Sequence, residues 1–214
     1  MVFGMTWGRA MHEFVEQLAK DERLRSLSFQ NVKVVPFLGT PGAIQSDSWN
    51  TTTYSNTLAT KVGNLLHCAS YNLSAPMYVE GTKEKELIES IDEIAKVLHM
   101  AETADIALIG IGSMQDDSSI IKAEIRTKEE YKELVRKGAV GEIVGRIYDK
   151  NGQTVDEDLK RKMVGISLDK IAKIPVRVGM SYGKDKIEAI KGAIAGGLVN
   201  VLVTDVPTAE LLLK

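Results

Sequence analysis

Val176-Arg177-Val178-Gly179-Met180 runs directly into Ser181-Tyr182-Gly183-Lys184-Asp185-Lys186, after which Ile187, Ile190 and Ile194 recur at helical spacing. An apolar run, a polar turn carrying glycine and an amphipathic stripe make one strand–loop–helix unit. The unit recurs upstream. Residues 2–6 precede a stripe of Met11, Phe14, Val15 and Leu18, and residues 32–37 precede Leu58, Val62, Leu65 and Leu66. Residues 77–80 precede Leu87, Ile91, Ile94 and Leu98, read as one helix. Further strands are predicted at 106–111, 142–148, 164–167 and 199–204. Several of these runs are apolar throughout, as strands covered on both faces require. The alternation predicts an α/β fold: a mostly parallel, Rossmann-like sheet with helices on both faces. Asn151-Gly152 is a tight-hairpin pair, so a small antiparallel excursion is expected there.

The bulk numbers narrow the function. The chain has 214 residues, 44% hydrophobic and 26% charged, with a formal net charge of −2. That suits one domain with a substantial core, and no linker or repeat divides residues 1–214. A near-neutral balance without a basic run argues against nucleic-acid binding by this chain alone. The single cysteine, Cys68, forbids an intrachain disulfide, fits a reducing cytoplasm, and is expected to serve packing rather than chemistry. No apolar stretch is long enough to span a bilayer, and no signal peptide is visible. The chain opens inside an apparent core strand, which leads us to expect an upstream segment in the natural protein.

Ligands of open α/β sheets bind beyond the carboxyl ends of the strands. Gly4-Met5-Thr6-Trp7-Gly8-Arg9 places a glycine turn before a helix whose free N–H groups suit phosphate. An ordinary strand–helix turn with Thr6 as cap explains the same residues. Gly39-Thr40-Pro41-Gly42 forms a shaped loop, and Asn56 stands at a helix start as ligand contact or cap. Gly110-Ile111-Gly112-Ser113 lacks the third glycine of a dinucleotide fingerprint, which excludes a nicotinamide site. Asp116 and Asp117 read as solvated rather than metal-bound. Glu142 is suited to accept from sugar hydroxyls, to act as a general base, or to close an edge salt bridge. Lys186, in a first helical turn, is the leading candidate for a phosphate or carboxylate contact, with a solvated lysine as the plain alternative. His12, His67 and His99 lack metal-ligand spacing, there is no nucleophile elbow, and no cofactor is called for.

The same segments carry a family resemblance. Gly4–Arg9, residues 34–42, 105–112 and 138–145, Val164-Gly165-Ile166, residues 174–186 and the tail at 196–205 with Thr208-Ala209 resemble, in order, the effector-binding domain of SorC-type bacterial transcriptional regulators. The resemblance implies a fold related to ribose-5-phosphate isomerase, glucosamine-6-phosphate deaminase and CoA transferases. It implies a sugar-phosphate effector, a homo-oligomer (dimer or tetramer), and DNA contact only through an upstream helix-turn-helix domain that this chain does not contain. Carried over by position, Thr6, Gly8, Arg9, Gly39, Thr40, Gly42, Asn56, Gly110, Gly112, Glu142, Lys186 and Asp205 form the pocket. Some relatives place a basic residue just before the Gly39 position. Here Leu38 stands there, which excludes an imine at that point. The alternative function is a sugar-phosphate isomerase or amino-sugar phosphate deaminase with Glu142 as base.

Overall fold

The computed structural model describes residues 1–27, 29–41 and 51–214. In chain order the elements are β1 (Val2–Met5), α1 (Arg9–Leu18), β2 (Lys33–Pro36), α2 (Ser55–Leu65), β3 (Ala69–Ser70), α3 (Thr82–Glu89), α4 (Asp92–Glu102), β4 (Ile106–Gly110) and β5 (Gly112–Ser113). They continue with α5 (Ser119–Lys122), α6 (Lys128–Arg136), β6 (Ala139–Ile143), β7 (Arg146–Asp149), α7 (Glu157–Lys162), α8 (Leu168–Ile171), β8 (Val176–Met180), α9 (Ile187–Ala195), β9 (Val201–Val203) and α10 (Val206–Leu212).

Six strands form one parallel sheet in the order β3-β2-β1-β4-β8-β9. A second sheet, β5-β6-β7, is antiparallel. This is the α/β architecture expected. Strand alternation sorts the core: Val34 joins Met5, Met11, Val15, Leu58 and Val62 on one side of the large sheet. Its neighbour Val35 joins Phe37, Ala107 and Ile109 on the other, continuous with Ile143 and Ile147 of the hairpin. Successive side chains of a strand point to opposite faces, so an unbroken apolar run feeds two cores. Cys68 is half-buried against the first of these, and burial pushes its thiol up.

Four expectations need correction. Residues 77–80 and 164–167 are not ladder strands. They form single bridges, Tyr78 to Met163 and Leu38 to Gly165, in a ribbon that crosses the end of β2. The run 142–148 is two strands. Val144 and Gly145 turn with φ of 55° and 69°, the paired positive values of a tight hairpin. Asn151-Gly152 turns too, but it joins β7 to a lone bridge at Thr154, with Asp149 Oδ1 accepting from Asn151 N and Gln153 N. The stripe Leu87 to Leu98 belongs to two helices. Ser90 Oγ donates to Leu87 O at 2.7 Å and α3 stops, leaving Leu87 and Ile91 exposed.

Candidate functional site

The carboxyl ends of β1, β4 and β8 meet the antiparallel sheet around a cavity of about 330 Å³. Its walls come from Trp7–Ala10, Gly110–Ser113, residues 117–119, Glu142, Ser181, Tyr182, Asp185 and Lys186.

Each wall has a local cause. Thr6 is fully buried, and its Oγ1 accepts from Gly110 N at 2.8 Å, tying β1 to β4. Gly8 then adopts φ 109° and starts α1, whose N-terminus has no side-chain cap and no acidic residue in its first turn. β4 passes into β5 through one residue, Ile111. That residue's N–H donates to Met180 O at 3.3 Å, and its carbonyl accepts from Ser181 Oγ at 3.1 Å. Gly112 leaves room for the Glu142 carboxylate: a Cβ there would lie 2.8 Å from Glu142 Oε2 and would push it aside. β6 and β5 pair Glu142 with Gly112, setting the carboxylate on the cavity floor.

Glu142 is 7% exposed. Its Oε1 accepts from Gly145 N and, at 3.4 Å, from Trp7 Nε1. Burial pushes its carboxyl up to about 7, outweighing those donors and the charges of Lys186 and Arg146. Lys186 Nζ donates to Ser113 Oγ at 2.8 Å and lies 3.5 Å from Asp185, whose Oδ2 also accepts from Ser113 at 3.1 Å. Arg9 pairs with Asp117 at 2.7 Å, which holds that carboxyl low.

The structure thus brings together Gly8, Arg9, Gly110, Gly112, Glu142 and Lys186, with Thr6 directly beneath Gly110. Four others stand elsewhere. Gly39 N donates to Val164 O, and a Cβ on Gly39 would lie 2.5 Å from the carbonyl oxygens of Ala75 and Pro76. Thr40 Oγ1 accepts from Asn56 Nδ2 at 2.9 Å. Asn56 also exchanges two bonds with the Leu73 backbone and borders a separate open groove. Asp205 caps α10 by accepting from Thr208 N at 2.9 Å, and the Thr208 hydroxyl together with that N–H holds its carboxyl low. Gly42 lies outside the described residues. Sequence reasoning missed Trp7, Ser113, Ser181 and Asp185 as lining residues, although all four stand inside the turns it singled out. Among the described residues no cluster could hold a metal ion, and no helix is long and apolar enough to cross a membrane.

The family described as "Putative sugar-binding domain" matches residues 1–214. The chain belongs to this family. The sorbitol operon regulator of Klebsiella pneumoniae is 30% identical over 215 residues, covering 100% of this chain and 65% of that protein. The transcriptional regulator LsrR of Escherichia coli O9:H4 (strain HS) is 35% identical over 159 residues, covering 72% of this chain and 50% of LsrR. The crystal structure of full-length SorC from Klebsiella pneumoniae superposes with a TM-score of 0.86 at 30% identity, covering 100% of this chain and 65% of that one. This sugar-binding domain therefore spans between half and two thirds of these two curated relatives. It has the α/β fold of the SorC domain, and the regulator reading fits its relatives better than the enzyme reading.

Proposed function

We propose that the domain senses a phosphorylated sugar in the cleft at the ends of β1, β4 and β8. The reading rests on one observation: the uncapped N-terminus of α1, Arg9, Lys186 and the buried Glu142 share a single cavity. Phosphate takes Lys186 and the N–H groups of Arg9 and Ala10 in the first turn of α1, the Gly8 N–H being held by Thr53 O. Glu142, poised between its two protonation states, accepts from or donates to a sugar hydroxyl. Binding shifts a homo-oligomer between packings that differ in affinity for DNA, which is held by an upstream helix-turn-helix part of a cytoplasmic regulator. Such a shift requires unequal affinity for the two packings.

Calorimetric titration of ribose 5-phosphate, glucose 6-phosphate and their unphosphorylated sugars tests the reading. Lys186→Met removes a charge-assisted bond worth about 1.5–3 kcal/mol, so sugar-phosphate affinity falls by roughly 10- to 150-fold. Affinity for the free sugars stays within about two-fold, because they bring no anion. Equal losses for both ligand classes would refute the assignment of Lys186 to phosphate.

The enzyme reading draws on Glu142 as a base held near neutrality. Its only partner among the cations of the cleft, Lys186, is engaged by Ser113 and Asp185. Turnover of ribose 5-phosphate or glucosamine 6-phosphate, lost in Glu142→Gln, would reverse the ranking.

A further inference from the structure

Three carboxylates, Glu142, Asp117 and Asp185, line the cleft against two cations, Arg9 and Lys186. Each cation already has an acid beside it: Asp117 at 2.7 Å from Arg9 and Asp185 at 3.5 Å from Lys186. A phosphate entering the cleft therefore meets side chains that are already neutralised. The two pairs are unequal. The Lys186 side chain is 20% exposed and is also held by Ser113, whereas the side chains of Arg9 and Asp117 are 66% and 54% exposed and are joined to each other by a single ion pair. An exposed pair of that kind is weak and readily exchanged, while a guanidinium holds phosphate through two parallel bonds.

We propose that Asp117 is the specificity-determining residue of the cleft: it occupies Arg9 as an internal competitor and so sets how strongly phosphorylated sugars are preferred over uncharged ones. The proposal rests on the sugar-phosphate reading above. A phosphorylated ligand takes Arg9 from Asp117, and the carboxylate turns to solvent. An uncharged sugar leaves the pair closed and gains nothing from it. Removing the competitor raises affinity only for ligands that bring their own anion, and only while Arg9 is present. Asp116, next in the chain, supplies the control. It carries the same charge at nearly the same place but stands outside the cleft lining.

The test is calorimetric titration of inorganic phosphate, ribose 5-phosphate and glucose 6-phosphate, with glucose and sorbitol as uncharged probes, into the domain and its Asp117→Asn, Asp116→Asn, Arg9→Gln and Arg9→Gln/Asp117→Asn variants. Asp117→Asn is expected to bind the phosphorylated probes about two- to five-fold tighter, the range set by an exposed ion pair. The gain shrinks as salt is added and disappears in the Arg9→Gln background, as coupling between the two residues requires. A comparable gain in Asp116→Asn, a gain that survives loss of Arg9, or weaker binding by Asp117→Asn would each overturn the proposal. Failure of every phosphorylated probe to bind any of the five proteins would instead reject the sugar-phosphate reading beneath it.

Discussion

Gly165→Ala is expected to cost about 3–4 kcal/mol of folding free energy and to lower the melting temperature by roughly 10 °C. Two effects add. Gly165 has φ 147°, in a region that side chains rarely adopt, so any Cβ brings strain of about 1–3 kcal/mol. An alanine Cβ would also lie 2.5 Å from Phe37 O and 2.8 Å from Leu38 Cα. Both contacts are to backbone, so no rotamer change relieves them. The site matters because the ribbon at 163–166 is tied to the end of β2: Ile166 N donates to Phe37 O at 2.9 Å and Gly39 N to Val164 O at 3.1 Å. Gly197→Ala is the matched control. It has a positive φ of 65° with nothing within 4 Å of the new methyl, so only the conformational cost of about 1 kcal/mol applies. Urea unfolding of both variants measures the contrast. Equal losses would mean that the approach of 163–166 to β2 does not contribute as described.

The second large effect is a dependence of stability on pH. Burial holds the Glu142 carboxyl near 7 against an ordinary value of 4.5. Between those values the folded protein binds more protons at this group than the unfolded chain does. Stability from Glu142 is therefore fully present below the ordinary value and declines as pH climbs through the folded one. The full swing is roughly 3 kcal/mol. Glu142→Gln keeps an acceptor for Trp7 and Gly145 and cannot ionise. Taken as equal to the parent at about pH 4, the variant should exceed it by up to about 3 kcal/mol at about pH 8. Parallel curves for the two proteins across that interval would show that Glu142 is not a buried acid in the folded state.

The fold was legible wherever one local signal sufficed. The apolar runs at β1, β2 and β8, each followed by a helical stripe, together with the apolar run at β4, led to the parallel sheet because strand and helix periods differ so plainly. Short strands such as β3 and β5 escaped, since two residues carry no period. The antiparallel excursion expected at Asn151-Gly152 is present as the turn from β7 to the bridge at Thr154, but the β6–β7 hairpin before it escaped for a definite reason. Asn151-Gly152 is the louder turn pair, yet the β6–β7 turn is made by Val144 and Gly145, and a β-branched residue at positive φ has no sequence signature. In the cleft, residues beside a glycine turn were found: Gly8, Arg9, Gly110, Gly112 and Lys186. Their electrostatic partners were not. That Asp117 meets Arg9 across 108 residues, and that Trp7 reaches Glu142 across 135, follows from the stacking of two sheets rather than from any motif.

The junction at Ile111 gives that stacking a mechanical meaning. One peptide unit joins the parallel sheet to the hairpin, and it is clamped from the side by Met180 O and Ser181 Oγ. With so short a pivot the hairpin has little slack to slide and only a narrow arc through which to tilt. A guest lodged between Gly110 and Glu142 would sit in the crook of that joint and splint it. Its arrival would be felt as stiffening about one pivot, with neither sheet obliged to change its own strand pairing.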